Sequence, residues 1–133
     1  MDLLRRLSSS LSRVRVHFPG HVTGARKRAM FRAATVYAFP SRHESYGLTL
    51  AEALAEGPPA VAFRNAGAAE ILDGGCGVLV EPGSGGAVRF ASEVAALLMD
   101  EPRRERFSLS ARQWAQTHLF EDAAARIASI AGF

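Results

Sequence analysis

Four short apolar runs punctuate the chain: Val14–Phe18 (VRVHF), Val36–Phe39 (VYAF), Pro59–Phe63 (PAVAF) and Cys76–Val80 (CGVLV). Runs this short, β-branched and bounded by Gly or Pro read as buried strands. Stretches of helical character separate them, at Ala25–Ala33, Leu48–Glu56 and, more briefly, Ala68–Leu72. Strands alternating with helices predict an α/β fold, with a parallel sheet of about four strands flanked by helices.

The last third changes period. Val88, Ala91, Val94, Ala95 and Leu98 recur at helical spacing until Asp100-Glu101-Pro102 interrupts them. Pro102 stands where a first helical residue is favoured, and Phe107, Ala111 and Trp114 form a second stripe beyond it. A third helix is expected over Glu121–Ile130, which makes the C-terminus all-helical. Ahead of the first run, Leu3, Leu4, Leu7 and Leu11 form an amphipathic stripe. No repeat, low-complexity tract or linker divides the 133 residues, so they are expected to form a single domain.

Composition narrows the class. Hydrophobic residues make up 48% and charged residues 22%, as in a soluble globular protein and unlike a disordered one. No apolar run approaches the roughly 18–20 residues that cross a bilayer. The N-terminal stretch is too interrupted by Arg and Ser to be the apolar core of a secretory signal. Cys76 is the single cysteine, which precludes an internal disulfide and favours a reducing, cytoplasmic setting. The net charge of +3 is unevenly spread: residues 1–42 hold nine Arg or Lys against one acid, Asp2. Such a half could face phosphates, an anionic membrane surface or an acidic partner. One Lys against fifteen Arg fits an Arg-rich compositional bias equally well. No aromatic interleaving or nucleic-acid motif accompanies these cations, so no nucleic-acid partner is expected, while peripheral membrane contact stays open.

The chemistry concentrates in Phe39–Gly57, FPSRHESYGLTLAEALAEG, between the second run and the helix after it. Open parallel sheets bind ligands in loops at the carboxyl ends of their strands. Ser45, Tyr46 and Gly47 stand at the expected helix start, where free N–H groups and the positive dipole end suit an anion. Gly47 lets backbone approach a ligand closely. Glu44 precedes the helix and Glu52 lies on its second turn, so two carboxylates can reach one ligand from loop and flank. Each has a blander reading: Glu52 shares a stripe with Thr49 and Glu56 that reads as a solvated face, and Glu44 could serve the helix dipole.

The combination resembles the donor-binding domain of retaining GT-B glycosyltransferases of the large family-4 type (glycosyl transferases group 1). The matching residues are Pro40-Ser41, Glu44, Tyr46-Gly47-Leu48, Glu52-Ala53-Leu54-Ala55-Glu56-Gly57 and Pro59-Ala60-Val61, with the family's Glu-x7-Glu spacing. Val16-His17-Phe18-Pro19-Gly20-His21-Val22 and Gly77-Val78-Leu79-Val80-Glu81-Pro82-Gly83 are similar to two further family segments. The resemblance runs over roughly residues 10–130.

It implies a partial Rossmann-like sheet, half of a GT-B fold, binding a UDP- or GDP-sugar without a metal or other cofactor. Glu44 would hold hydroxyls of the transferred sugar and stabilise positive charge at its anomeric carbon. Ser45, Tyr46, Gly47 and Leu48 would meet the sugar and diphosphate. Glu52 would accept the ribose hydroxyls, and Val22 would lie near the base. A fixed carboxylate favours a cationic, oxocarbenium-like transition state, and retention in such enzymes is described as same-face displacement assisted by the leaving diphosphate.

Departures shape the expectation. The family's diphosphate-binding Arg and Lys, and its acceptor domain, lie upstream of anything here. Two of the six usual strands would be missing; in the family's sheet order they lie between the strands at Val14 and Val36. Ala66-Gly67 ahead of Glu70 replaces a double glycine, and Phe120 stands where Trp is common. The expected activity therefore needs a separate acceptor-domain protein or self-association, and the chain alone is expected to transfer no sugar. The alternative is a non-catalytic nucleotide-sugar-binding or remnant protein.

The remaining polar residues add little. His17 and His21 are four apart, but Pro19 and Gly20 break any helix that would align them as a zinc pair. His43 reads as a solvated loop residue and Cys76 as a small core residue. Ser41 and Glu44 have no partner His set by sequence, and Gly-x-Ser-x-Gly is absent.

Overall fold

The computed structural model describes residues 2–11 and 13–118, without the side chains of Asp2, Leu3, Leu4 and Leu7. Its elements run α1 (Asp2–Ser9), α2 (Gly24–Ala33), β1 (Tyr37–Phe39), α3 (Leu48–Glu56), β2 (Ala60–Phe63), α4 (Ala66–Leu72), β3 (Gly77–Val80), α5 (Gly86–Met99) and α6 (Glu101–Thr117). The three strands form one parallel sheet in the order β1-β2-β3. Tyr37 stands opposite Ala60, and Ala60 opposite Gly77.

All four residues of central β2 are buried, as a parallel strand covered on both faces must be. Its alternating side chains divide the core. Ala60 and Ala62 join Phe39, Leu50, Leu54, Ala68, Ile71 and Leu72 on the face covered by α3 and α4. Val61 and Phe63 join Val80, Phe90 and Leu97 on the face covered by α5. Helix α6 serves both, with Ala111 in the first cluster and Phe107 packed on the second.

The expected run at Val14–Phe18 is corrected: it forms no strand, and the sheet has three strands rather than about four. An extended segment becomes a strand by pairing, and this one pairs with neither edge of the sheet among the described residues. Val14 and Val16 are 59% and 42% exposed, so the alternation of VRVHF buries no apolar face. The expected amphipathic N-terminal helix is present as α1, although Leu11 lies beyond its end and is exposed. Glu121–Ile130 and Phe120 lie outside the described residues. No described helix is long and apolar enough to cross a membrane.

Candidate functional site

The carboxyl ends of β1 and β2 open into two loops that are fastened together. Asn65, at the end of the β2 loop, caps α4 by accepting the Ala68 amide at 2.9 Å. Its Nδ2 donates to the carbonyl oxygen of Ser41 at 2.9 Å. The Gly67 amide donates to the carbonyl oxygen of Glu44 at 3.1 Å. A Cβ on Gly67 would lie 2.5 Å from the Tyr46 carbonyl carbon and oxygen, so only glycine permits this approach. In the Ala66-Gly67 pair, the glycine that the contact requires is the one kept.

These contacts set the entry to α3. Gly47 is its N-cap, in the left-handed region at φ 87°, and no side chain caps the first turn. The N–H groups of that turn thus carry the helix's positive end without a side-chain acceptor. Ser45, Tyr46 and Leu48 are exposed around it, and Tyr46 and Leu48 retain about half of their surface, at 45% and 50%. Glu44 is half-buried, its Cγ 3.6 Å from where a Cβ on Gly47 would stand. Val22 is half-buried, two residues before α2.

Helix α3 presents three stripes. Leu50, Ala53 and Leu54 are buried toward the sheet. Leu48, Ala51 and Ala55 line an apolar cleft of about 320 Å³ with Tyr46, Glu52, Trp114 and Ala115 of α6, and His118 just past its end. The Trp114 and His118 rings stack at 4.6 Å. The third stripe, Thr49, Glu52 and Glu56, lies beside α2, with Thr49 and Glu52 still exposed and Glu56 half-buried. Burial holds the Tyr37 phenol above its ordinary pKa, with Thr49 opposing the shift. Lys27 Nζ reaches both oxygens of Glu52, at 2.8 and 2.9 Å. Arg28 and Arg32 converge on Glu56, with closest contacts of 2.6 and 2.7 Å. Their hydrogen bonds, Arg28's foremost, hold the Glu56 carboxyl below its usual range.

Helix α2 has no buried residue. It is held instead by these ion pairs and by Phe31, whose ring meets Tyr37 edge-on at 5.3 Å. Three of the cations in the basic first third are thereby committed to ion pairs within the chain. The pairing of Lys27 with Glu52 is not legible in the sequence, because the two stand 25 positions apart. The available signal was its uniqueness: a lysine in a chain that otherwise uses arginine.

Comparison with known proteins follows the same outline. The glycosyl transferases group 1 family matches residues 3–114. A D-inositol 3-phosphate glycosyltransferase from Xylanimonas cellulosilytica is 39% identical over 119 residues, covering 89% of this chain and 28% of that enzyme. The chain spans about a quarter of the length of the curated relatives it matches. Among solved structures, WaaG, a glycosyltransferase involved in lipopolysaccharide biosynthesis, superposes with a TM-score of 0.78 at 25% identity, over 97% of this chain and 35% of WaaG. The C-terminal domain of the group 1 family protein LpcC from Francisella tularensis shares the fold, with a TM-score of 0.71 at 22% identity, over 87% of this chain and 60% of that one.

Proposed function

The chain belongs to the glycosyl transferases group 1 family, and from that premise we propose that it forms the nucleotide-sugar-binding part of a retaining glycosyltransferase. The observation that supports this reading is the uncapped N-terminus of α3, held by two fastened loops and flanked by Glu44 and Glu52. An uncapped helix start suits a diphosphate through its N–H groups and dipole. Glu52 accepts the ribose hydroxyls, and Val22 lies on the side of the base. Glu44 binds the transferred sugar, and its carboxylate stabilises the cationic anomeric centre that develops as the diphosphate departs. The donor is a UDP- or GDP-sugar, and the chain's own part of the reaction calls for no metal. The acceptor is held by a separate domain or partner, so the chain by itself transfers no sugar.

Calorimetric titration of the full chain with UDP, GDP and their sugars tests this. Glu52→Ala is expected to weaken binding of the preferred nucleoside diphosphate by about 1.5–3 kcal/mol, the value of hydrogen bonds to a charged group. Glu44→Ala should leave that nucleotide's binding nearly intact and remove the added response to the sugar. Unchanged nucleotide binding in Glu52→Ala would overturn the assignment.

A further inference from the structure

Glu52 belongs to two structures at once. It stands beside the helix start that the preceding reading gives to the nucleotide, and it is the anchor of Lys27. The ammonium bridges both carboxylate oxygens, at 2.8 and 2.9 Å. A carboxylate offers about four lone-pair directions, and a lysine bridging the two oxygens engages one on each. The other directions remain for a ligand, and the Glu52 side chain is 46% exposed. Lysine placed this way does not close the carboxylate; it orients it.

The alternative to orientation is rotation. A glutamate on an exposed helix face has three rotatable bonds and samples many directions, an entropy that a ligand must then remove. Lys27 removes part of it beforehand. It can do so because α2 is fixed in register on α3 by a second anchor one turn along, where Arg28 and Arg32 grip Glu56. Of the four cations on α2, Lys27 is the one whose described ion pair is with the carboxylate at the nucleotide side.

We propose that Lys27 is a positioning residue for nucleotide recognition: its bridge holds the Glu52 carboxylate toward the ribose hydroxyls and so sets the preference for ribose over deoxyribose. The inference rests on the reading of Glu52 given above.

The test compares UDP and GDP with their 2′-deoxy counterparts on the full chain. The unaltered chain should prefer the better-bound ribonucleotide over its deoxy form by about tenfold, the scale of one hydrogen bond to a charged acceptor. Glu52→Gln should collapse that ratio. Lys27→Met should narrow it severalfold, and Lys27→Arg, which can still bridge a carboxylate, should largely restore it. Glu93→Gln is the control: it breaks an ion pair to Arg103 that involves neither α2 nor Glu52, so the ratio should hold even where stability falls. If Glu52→Gln changes nothing, or neither nucleotide binds, the functional reading falls and this inference with it. If Glu52→Gln collapses the ratio while Lys27→Met leaves it intact, only the role of Lys27 is overturned. A tighter nucleotide complex in Lys27→Met would overturn it too, showing that the lysine competes with the ligand instead.

Discussion

Gly67 lies so close to Tyr46 that a single methyl on it would meet the Tyr46 carbonyl at 2.5 Å. The contact joins the first turn of α4 to the residue just before the N-cap of α3, and it ties the position of the candidate site to the sheet.

Gly67→Ala is therefore expected to displace the loop before α3, because the opposing atoms are backbone and cannot rotate away. Overpacking of this kind costs about 1–3 kcal/mol. Urea denaturation should register that loss, and titration with the preferred nucleoside diphosphate should show a weaker complex. A stable variant with unaltered binding would mean that the loops are free to part.

Asn65→Ala removes the cap of α4 together with the bond to the Ser41 carbonyl. Loss of the cap alone is worth about 1 kcal/mol. Asn65→Asp keeps the cap acceptor but has no Nδ2 to give Ser41. The aspartate variant should regain most of the thermal stability and little of the nucleotide affinity, which separates the two roles in a pair of measurements.

The Glu56 anchor predicts a pH dependence. Its carboxyl is held below the ordinary value by Arg28 and Arg32, so the unfolded chain takes up that proton first as pH falls. The stabilisation is complete above the unfolded value, about 4.3, and is lost as pH drops through the lower folded value. The stability gap between the unaltered chain and Glu56→Gln should thus shrink steadily in acid. A gap independent of pH would show that Arg28 and Arg32 contribute nothing through this carboxylate.

Cys76 is fully buried, and burial pushes its thiol above the usual value. Thiol reagents attack the thiolate, so modification should be slow in the folded chain and rapid in urea. As the single cysteine, it gives an unambiguous signal. Fast labelling without denaturant would place the strand start of β3 in frequent contact with solvent.

The outer edge of β1 pairs with no strand among the described residues, and an open edge invites pairing. Sedimentation of the chain over a range of concentrations should reveal self-association or a low unfolding midpoint. A monodisperse, cooperatively melting monomer would show that the edge is satisfied within the chain.

The parts of the fold legible in the sequence were those fixed by local rules. Leu48–Glu56 could be bounded because Gly47 and Gly57 both adopt left-handed conformations at its ends. PAVAF could be placed because a strand covered on both faces needs no alternation. VRVHF misled because its residues suit a strand while strandedness depends on a neighbour, and it has none among the described residues. Within the candidate site, Glu44 and Glu52 stood out through the resemblance to the family's Glu-x7-Glu pattern. The Lys27 bridge, the Asn65 tether and the Gly67 approach did not, since each joins segments more than twenty residues apart.

The absence of buried residues from α2 bears on how the molecule breathes. Segments with little apolar burial open in local fluctuations far below the free energy of global unfolding, and their amides exchange with solvent accordingly. In deuterium, the amides of Lys27–Ala33 should exchange well before those of β2, and sooner still when added salt screens the charges that hold them. The lysine that orients Glu52 thus rides on a segment able to lift and reseat while the sheet beneath stays shut.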